Sequence, residues 1–310
     1  MGRTGGGGDL AAGFVTLPGL LVDADWLAVN RHPCLAVLDA TVVLAPPSRD
    51  GDYRAESGHA GFLAGHIPGA RHADLLGRLS DPLSACHFTR PAAAELASAL
   101  AELGVLDGIA VVTYDTVGGI WAARLWWMLR WIGLPAAVLD GGLQAWVARG
   151  GELESGAASA HLPRQAGRPA EVDERAGMWA DRGEVARIAS GAASSPLVCA
   201  LSTEVFDGSV PTRYARRGHI PRSVNVPARS LLGPSGRFLA GKELEDATAA
   251  VGFGEPVTVY CGAGVSAAVV ALALTLQGRE NVAIYDGSLE EWSACAALPL
   301  ELGPAPARRC

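Results

Sequence analysis

The sequence predicts an α/β protein built from two tandem copies of one domain, each a parallel sheet with helices on both faces. Three observations lead to this fold class. The chain has 310 residues, enough for two domains of ordinary size that each bury a core. Short β-branched or apolar runs alternate with helix-forming runs, which is typical of parallel sheets covered on both sides. The third observation is an internal repeat.

The repeat is visible as a constant offset between segments of the two halves. Three pairs of segments align: Tyr114-Asp115 with Tyr260-Cys261 (offset 146, from 261 − 115), Asp140-Gly141-Gly142 with Asp286-Gly287-Ser288 (offset 146, from 286 − 140), and Gly65-His66-Ile67-Pro68 with Gly218-His219-Ile220-Pro221 (offset 153, from 218 − 65). The difference between the two offsets indicates a difference in loop length. A shared offset at two well-separated places indicates duplication of one domain.

The elements of the first copy follow in chain order. Asp23 or Asp25 can cap a short helix through Trp26 to Asn30. Further elements are predicted as a strand over 35–39, a polar loop over 46–58, a helix over 92–103 opened by Pro91, a strand over 109–114, a helix over 121–132, a strand over 136–139 and a helix over 143–149.

Composition predicts the boundaries between these units. Four consecutive glycines make residues 1–9 a flexible N-terminus, and residues 10–151 form the first domain. Residues 152–177 are rich in Ala, Gly, Ser, Pro and Arg, which is typical of a linker. The second domain then spans 178–302, and residues 303–310 are a tail.

Charge and composition exclude several classes of function. The chain is 49% hydrophobic and 18% charged, as in soluble globular proteins, and its net charge of −7 offers no footprint for nucleic acid. No run reaches the ~18 apolar residues of a membrane span. The apolar stretch Leu10 to Val22 lacks a convincing small-residue cleavage site and runs into Asp23, so a signal peptide is rejected. The six cysteines form no CxxC pair, which argues against a zinc site and for a reducing cytoplasm.

The chemistry is predicted to lie around Cys261. The β-branched run 257–260 predicts a buried strand, and 267–274 predicts a helix, so Cys261 lies at a strand-to-helix turn. Gly262 and Gly264 allow positive φ angles that turn backbone N–H groups inward. Those amides and the positive helix end favour the thiolate, which is the nucleophile, and could also hold a substrate anion.

Two other interpretations of this cysteine compete with a nucleophile. A free cysteine is usually a small buried hydrophobe, but the strand–Cys–Gly–x–Gly–helix pattern favours a reactive thiol. A cysteine phosphatase needs an arginine six positions after its cysteine to clamp phosphate. Ala267 stands there in this chain, which argues against phosphate ester chemistry.

The loop from Cys261 to Ala267 resembles the active loop of the two-domain rhodanese-type sulfurtransferases. The aligned Gly-His-Ile-Pro turns, Asn225-Val226-Pro227, and Tyr285-Asp286-Gly287 with Trp292 extend this resemblance over roughly residues 20 to 302. The resemblance implies a persulfide on Cys261 and a small anionic sulfur donor. It also implies a thiol or cyanide acceptor, or a sulfur-accepting protein, with no metal or organic cofactor. The anion-stabilising loop would comprise Gly262, Ala263, Gly264, Val265 and Ser266.

The two copies are not equivalent, because Asp115 stands in the first where Cys261 stands in the second. A carboxylate cannot carry a persulfide, so only the second domain is expected to react, with the first as a wall of the cleft between them. The glycines after Asp115 fall at different places from Gly262 and Gly264. We therefore expect that the amides of the first loop do not converge on residue 115.

Candidate substrate-binding residues come from the same resemblance. Arg213 is the best match to an arginine that binds the donor in the family, and a second such arginine is replaced by Val205. A first-domain histidine at the cleft of related mercaptopyruvate enzymes makes His66 a candidate, although both Gly-His-Ile-Pro histidines could simply stabilise their turns. Arg124 is expected to pair with acids on the surface of its helix.

The loop chemistry also predicts the donor. Thiosulfate-type members carry basic residues after the cysteine, whereas this chain has Gly262 and Ala263. The neutral loop is closer to the mercaptopyruvate type, although Ala263 replaces its hydroxyl residue and Ser266 its threonine. We therefore expect 3-mercaptopyruvate to be favoured over thiosulfate. The alternative is a catalytically weakened rhodanese-like domain that serves as a binding or redox-sensing module.

Overall fold

The computed structural model describes residues 15–157, 168–252 and 256–304, so the predicted flexible N-terminus and parts of the predicted linker and tail lie outside the described residues. The elements of the first half are β1 (Leu21–Val22), α1 (Ala24–Val29), β2 (Leu35–Asp39), β3 (Val42–Leu44), β4 (Ala55–Ser57), α2 (His59–Ala64), β5 (Arg71–His72), α3 (Ala93–Glu102), β6 (Ala110–Tyr114), α4 (Ile120–Trp131), β7 (Ala136–Leu139) and α5 (Gly142–Ala148). Those of the second half are β8 (Trp179–Ala180), α6 (Arg182–Ala189), β9 (Leu197–Cys199), α7 (Thr203–Phe206), β10 (Ser223–Asn225), α8 (Gly241–Thr248), β11 (Val257–Tyr260), α9 (Val265–Leu276), β12 (Val282–Tyr285) and α10 (Ser288–Ala294).

Each half forms a five-stranded parallel sheet, and the two sheets have the same strand order. The first runs β1-β7-β6-β2-β5 and the second β8-β12-β11-β9-β10. The duplication is also visible in single hydrogen bonds. The hydroxyl of Tyr114 accepts from the N–H of Ile67, and the hydroxyl of Tyr260 accepts from the N–H of Ile220. The predicted tandem α/β fold is confirmed.

The two sheets share a central layer of helices. Strand residues with alternating orientation divide between two cores, because successive side chains of a strand point to opposite faces. One face of the first sheet packs against α3 and α4, and one face of the second packs against α8 and α9. Together they form a single core that runs through both halves. The opposite faces are covered by α1, α2 and α5 in the first half and by α6, α7 and α10 in the second. Helices α4 and α9 are apolar on nearly all sides because they lie between two sheets.

Most predicted elements are present, with ends that differ by a few residues. Asp23 is the residue that caps α1, since its Oδ1 accepts from the N–H of Trp26 at 2.7 Å. The prediction of a continuous polar loop over 46–58 is wrong, because β4 pairs there with β3 in antiparallel fashion. Three-residue strands are too short to show an alternating pattern. Among the described residues, none of the helices has both the length and the apolar character needed to cross a bilayer.

Candidate active site

Cys261 lies between the middle strand of the second sheet and the start of α9. It directly follows β11, and Gly264 with φ +71° precedes the first turn of the helix. The side chain is only 2% exposed. It reaches the wall of a cavity of about 360 Å³ that residues of both halves line. The cavity therefore lies at the cleft between the domains, where the sequence places the reactive thiol.

The two loop glycines are present for different reasons. Gly264 has the predicted positive φ, but Gly262 is not among the glycines with positive φ, so that half of the expectation is wrong. A Cβ at Gly262 would lie 1.4 Å from the hydroxyl oxygen of Tyr214 and 2.2 Å from its Cζ. The tyrosine side chain packs directly on the loop backbone. Residue 262 is therefore a glycine because of close approach and not because of backbone conformation.

The N-terminus of α10 holds the loop in place from behind. The hydroxyl of Ser288 accepts from the N–H of Cys261 and from the N–H of Gly264, both at 3.1 Å. The N–H groups of Leu289 and Glu290 donate to the carbonyls of Cys261 and Gly262, at 3.1 and 2.9 Å. The amide of Gly264, one of the predicted anion-stabilising groups, is thus already occupied by Ser288.

The loop at the corresponding place in the first domain, which follows β6, binds an anionic side chain. The carboxylate of Asp115 accepts four backbone N–H groups, from Val117 and Gly119 at 2.8 Å, Trp121 at 2.7 Å and Ala122 at 3.0 Å. The expectation that these amides do not converge is wrong. The helix start orients them as much as the glycines do, and the carboxylate fills the space that they enclose. The first-domain loop is thus an anion site that its own carboxylate occupies.

The repeat offset identifies the corresponding amides of the second domain. At the helix starts the offset is 145, because α4 follows Gly119 and α9 follows Gly264 (264 − 119), each glycine having a positive φ. The donors Gly119, Trp121 and Ala122 therefore correspond to Gly264, Ser266 and Ala267. The N–H of Gly264 is taken by Ser288, whereas within the described part of the chain those of Ser266 and Ala267 donate to no side chain and to no carbonyl outside their own helix. Ala267 lies beyond the predicted loop of 262–266, because the first turn of α9 contributes as well.

Two arginines line the cavity. Arg213, the predicted one, donates through Nη2 to the carbonyl of Ala45 at 2.5 Å, while its buried Nε has no hydrogen-bond partner among the described residues. Arg229, which is itself exposed, also lines the cavity, from the 3₁₀ turn Ala228–Leu231. The sequence analysis missed Arg229, and its place shortly after Asn225-Val226-Pro227 is the one signal that could have found it.

The neighbouring arginines have structural roles. Arg216 donates to four backbone carbonyls at and beyond the end of α10, those of Trp292, Ser293, Cys295 and Leu298. Arg217 pairs with Asp50 of the first half at 2.9 Å. The cavity therefore takes one arginine from this segment, and the other two hold the domains and the helix in place.

His66 does not line this cavity. Its side chain is fully buried, its ring stacks on Phe62 at 3.8 Å, and its Nδ1 lies 2.8 Å from the carbonyl oxygen of Phe62. His219 repeats this arrangement with Phe206, at 3.7 and 2.9 Å. A histidine needed in both copies serves the turn, so the structure provides no contact for a substrate role of His66.

Aromatic residues that the sequence analysis missed close one side of the cavity. Tyr53 and Tyr214 both line it, and burial raises the pKa of each phenol, so they remain neutral. The ring of Tyr53 stacks on His87 at 4.0 Å, and His87 Nδ1 lies 2.5 Å from a carboxylate oxygen of Glu290. First-domain residues around 53 and 87 therefore contact the second domain, and Tyr53 lines the cavity beside Tyr214.

Two other cysteines near the site are poor nucleophiles. Burial, with a contribution from Glu290, raises the pKa of Cys86 to about 11, and burial raises that of Cys199 to about 12. Both remain protonated thiols near neutral pH. Cys261 lines the cavity, at the end of the strand that leads into α9.

Comparison with known proteins matches both halves. The family model described as Rhodanese-like domain matches residues 33–149 and 196–295. The putative thiosulfate sulfurtransferase SseB of Mycobacterium tuberculosis is 36% identical over 253 residues, covering 80% of this chain and 87% of that protein. The 3-mercaptopyruvate sulfurtransferase of Escherichia coli is 35% identical over 286 residues, covering 90% of this chain and 97% of that protein. The crystal structure of SseA from E. coli superposes with a TM-score of 0.72 at 31% identity, covering 87% of this chain and 98% of that one.

Proposed function

The chain belongs to the rhodanese-like sulfurtransferases, and we propose that it moves a sulfane sulfur from a small anionic donor to a thiol or cyanide through a persulfide on Cys261. The thiolate attacks the donor sulfur, so a sulfur–sulfur bond forms. With 3-mercaptopyruvate the carbon–sulfur bond breaks, its electron pair stays on carbon, and the proton of the donor thiol ends on that carbon as pyruvate forms. An acceptor thiolate then attacks the outer sulfur and releases the Cys261 thiolate.

The observation that carries this proposal is the occupied anion site of the first domain. The carboxylate oxygens of Asp115 lie two bonds from Cβ, as the outer sulfur of a persulfide does. Four N–H groups surround those oxygens. The corresponding open N–H groups of the second domain, those of Ser266 and Ala267, are therefore suited to an anionic outer sulfur on Cys261. Fixed amide dipoles are most effective in a largely water-excluded cavity.

The cavity supports a donor that is partly apolar and carries one carboxylate. Apart from its two arginines and a few hydroxyl groups, its walls are apolar, formed among others by Val42, Ile120 and Val205. Arg213 is half-buried, and a guanidinium binds a carboxylate with two parallel hydrogen bonds. Arg229 is exposed, so salt and water weaken its attraction for a donor. These features favour 3-mercaptopyruvate over thiosulfate, whose second charge has no comparably buried partner.

The experiment that tests the proposal is direct detection of the intermediate. The purified protein is incubated with 3-mercaptopyruvate or with thiosulfate, and the Cys261 peptide is weighed by mass spectrometry, with the Cys261→Ser protein as control. We expect a mass increase of one sulfur atom on that peptide, and a higher kcat/KM for 3-mercaptopyruvate. An unmodified Cys261 with every donor would favour the alternative of a binding or redox-sensing module. A preference for thiosulfate would overturn the donor assignment alone.

A further inference from the structure

A buried arginine of the first domain contacts the catalytic loop of the second. Arg124 lies in α4, and its side chain is 0% exposed. Its Nη1 donates to the carbonyl of Gly264 at 3.3 Å. Its Nη2 donates to the carbonyl of Phe88 at 2.6 Å and lies 2.7 Å from Oδ1 of Asp286. The guanidinium also lies over the ring of Trp179, 4.9 Å from its centroid. The expectation that Arg124 pairs with acids on its helix surface is wrong.

Packing of the two central helices does not require an arginine at this position. The corresponding residue of α9, five positions after the glycine that precedes the helix, is Val269, which is equally buried in the same core. A guanidinium taken out of water is costly unless its N–H groups are paired. Both terminal nitrogens of Arg124 are paired with the second domain, through the Gly264 carbonyl and the carboxylate of Asp286, while its buried Nε has no hydrogen-bond partner among the described residues. The role of Arg124 therefore depends on the groups of the second domain that it binds.

The peptide group that Arg124 holds is the one that precedes α9. In a trans peptide the carbonyl and the following N–H point in opposite directions. Holding the Gly264 carbonyl towards the first domain therefore directs the N–H of Val265 the other way. Val265 is the first residue of α9, as Ile120 is of α4. The next two N–H groups of α9, those of Ser266 and Ala267, correspond to those of Trp121 and Ala122, which donate to the Asp115 carboxylate. The peptide group that Arg124 fixes thus directly precedes the amides suited to the anion on Cys261.

We propose that Arg124 is a positioning residue for the reaction. By holding the Gly264 carbonyl, it fixes the start of α9 and keeps the N–H groups of Ser266 and Ala267 in place for the anion on Cys261. Docking of the first domain thereby sets the reactivity of a thiol in the second. The inference rests on the proposed function only in taking Cys261 as the reacting thiol.

The test compares two conservative variants in one helix. Arg124→Lys keeps a positive charge beside Asp286 but lacks the fork that binds two carbonyls at once. Arg130→Lys is the matched control, because Arg130 lies in the same helix and stacks on Trp126 of its own domain. The measurement is the rate at which iodoacetamide alkylates Cys261, followed by mass spectrometry across a range of pH, together with kcat and KM for 3-mercaptopyruvate.

For Arg124→Lys we expect the alkylation rate near neutral pH to fall about tenfold, as for loss of one hydrogen bond to a charged group. The midpoint of its pH profile should move upward, and kcat should fall with little change in KM. Arg130→Lys should match the unmodified protein in all of these. A folded Arg124→Lys protein with an unchanged rate and pH midpoint would overturn the proposal.

A second pair of variants covers the case in which Arg124→Lys does not fold. Arg124→Gln and Arg124→Met are each combined with Asp286→Asn, so neither leaves an unpaired buried charge, and only the glutamine offers an N–H to Gly264. Faster alkylation of Cys261 in the glutamine variant supports the proposal, and equal rates overturn it. Because alkylation needs no sulfur donor, it decides the role of Arg124 even if no persulfide forms.

Discussion

Replacement of Gly262 by alanine should disrupt the active loop through a clash with one side chain. The added Cβ would lie 1.4 Å from the hydroxyl oxygen of Tyr214, 2.2 Å from Cζ and 2.8 Å from Cε1, whereas real Cβ contacts essentially never fall below 3.0 Å. The hydroxyl would have to move by about 1.6 Å (3.0 − 1.4). Tyr214 is only 7% exposed and packs edge-on against Tyr53, so it has little room to move.

The magnitude follows from this lack of space. Overpacking a well-packed core costs about 1–3 kcal/mol of the free energy of unfolding, and the fixed neighbours place Gly262→Ala near ~3 kcal/mol. Urea denaturation measures the loss, and persulfide formation on Cys261 reports whether the loop still works. We expect both to decline, since the loop and the tyrosine cannot occupy their present positions together.

A graded series of second substitutions identifies the clashing atoms. Tyr214→Phe removes the hydroxyl but leaves Cζ at 2.2 Å, so it should restore little stability to Gly262→Ala. Tyr214→Leu removes all three ring and hydroxyl atoms that clash, so the double variant should be more stable than the sum of the single effects by ~1 kcal/mol or more. If the two second substitutions rescue equally, or neither does, backbone conformation is the reason for the glycine and our reasoning fails.

Three further predictions concern the thiol, the first-domain anion site and the arginines. Cys261→Ser should abolish sulfur transfer with every donor while Cys295→Ser retains most of it, and appreciable turnover by the Cys261→Ser protein in a steady-state assay would refute the mechanism. Asp115→Asn should lower the free energy of unfolding in urea by ~2–3 kcal/mol, because its amide group would face N–H donors that now bind a carboxylate, and an unchanged midpoint would count against the occupied anion site. Arg213→Ala should raise KM for 3-mercaptopyruvate much more than it lowers kcat, whereas Arg229→Ala should have a smaller effect that added salt removes. Equal effects of the two arginine variants in steady-state kinetics at high salt would mean that the donor is held elsewhere.

The histidines and glycines show where local sequence patterns stop being informative. His66 and Arg213 were both candidates on the basis of a motif, yet the structure brings only Arg213 to the cavity. A motif records which residue a turn needs, but not whether the turn faces a cleft. Gly262 was likewise assigned a conformational role that belongs to Gly264 alone, because the contact that excludes a side chain comes from Tyr214, far away in the chain.

By itself, the sequence determined the tandem α/β fold, the repeat offset of 146 and the place of Cys261 at the start of a helix. These features depend on hydrophobic periodicity and on residues adjacent in the chain. Only the tertiary structure decided which amides remain open to an anion, why residue 262 is a glycine, and that Arg124 reaches Gly264, 140 positions further along the chain. Those contacts join residues far apart in the chain, within the second domain or between the two domains, and such contacts leave no periodic trace in the sequence.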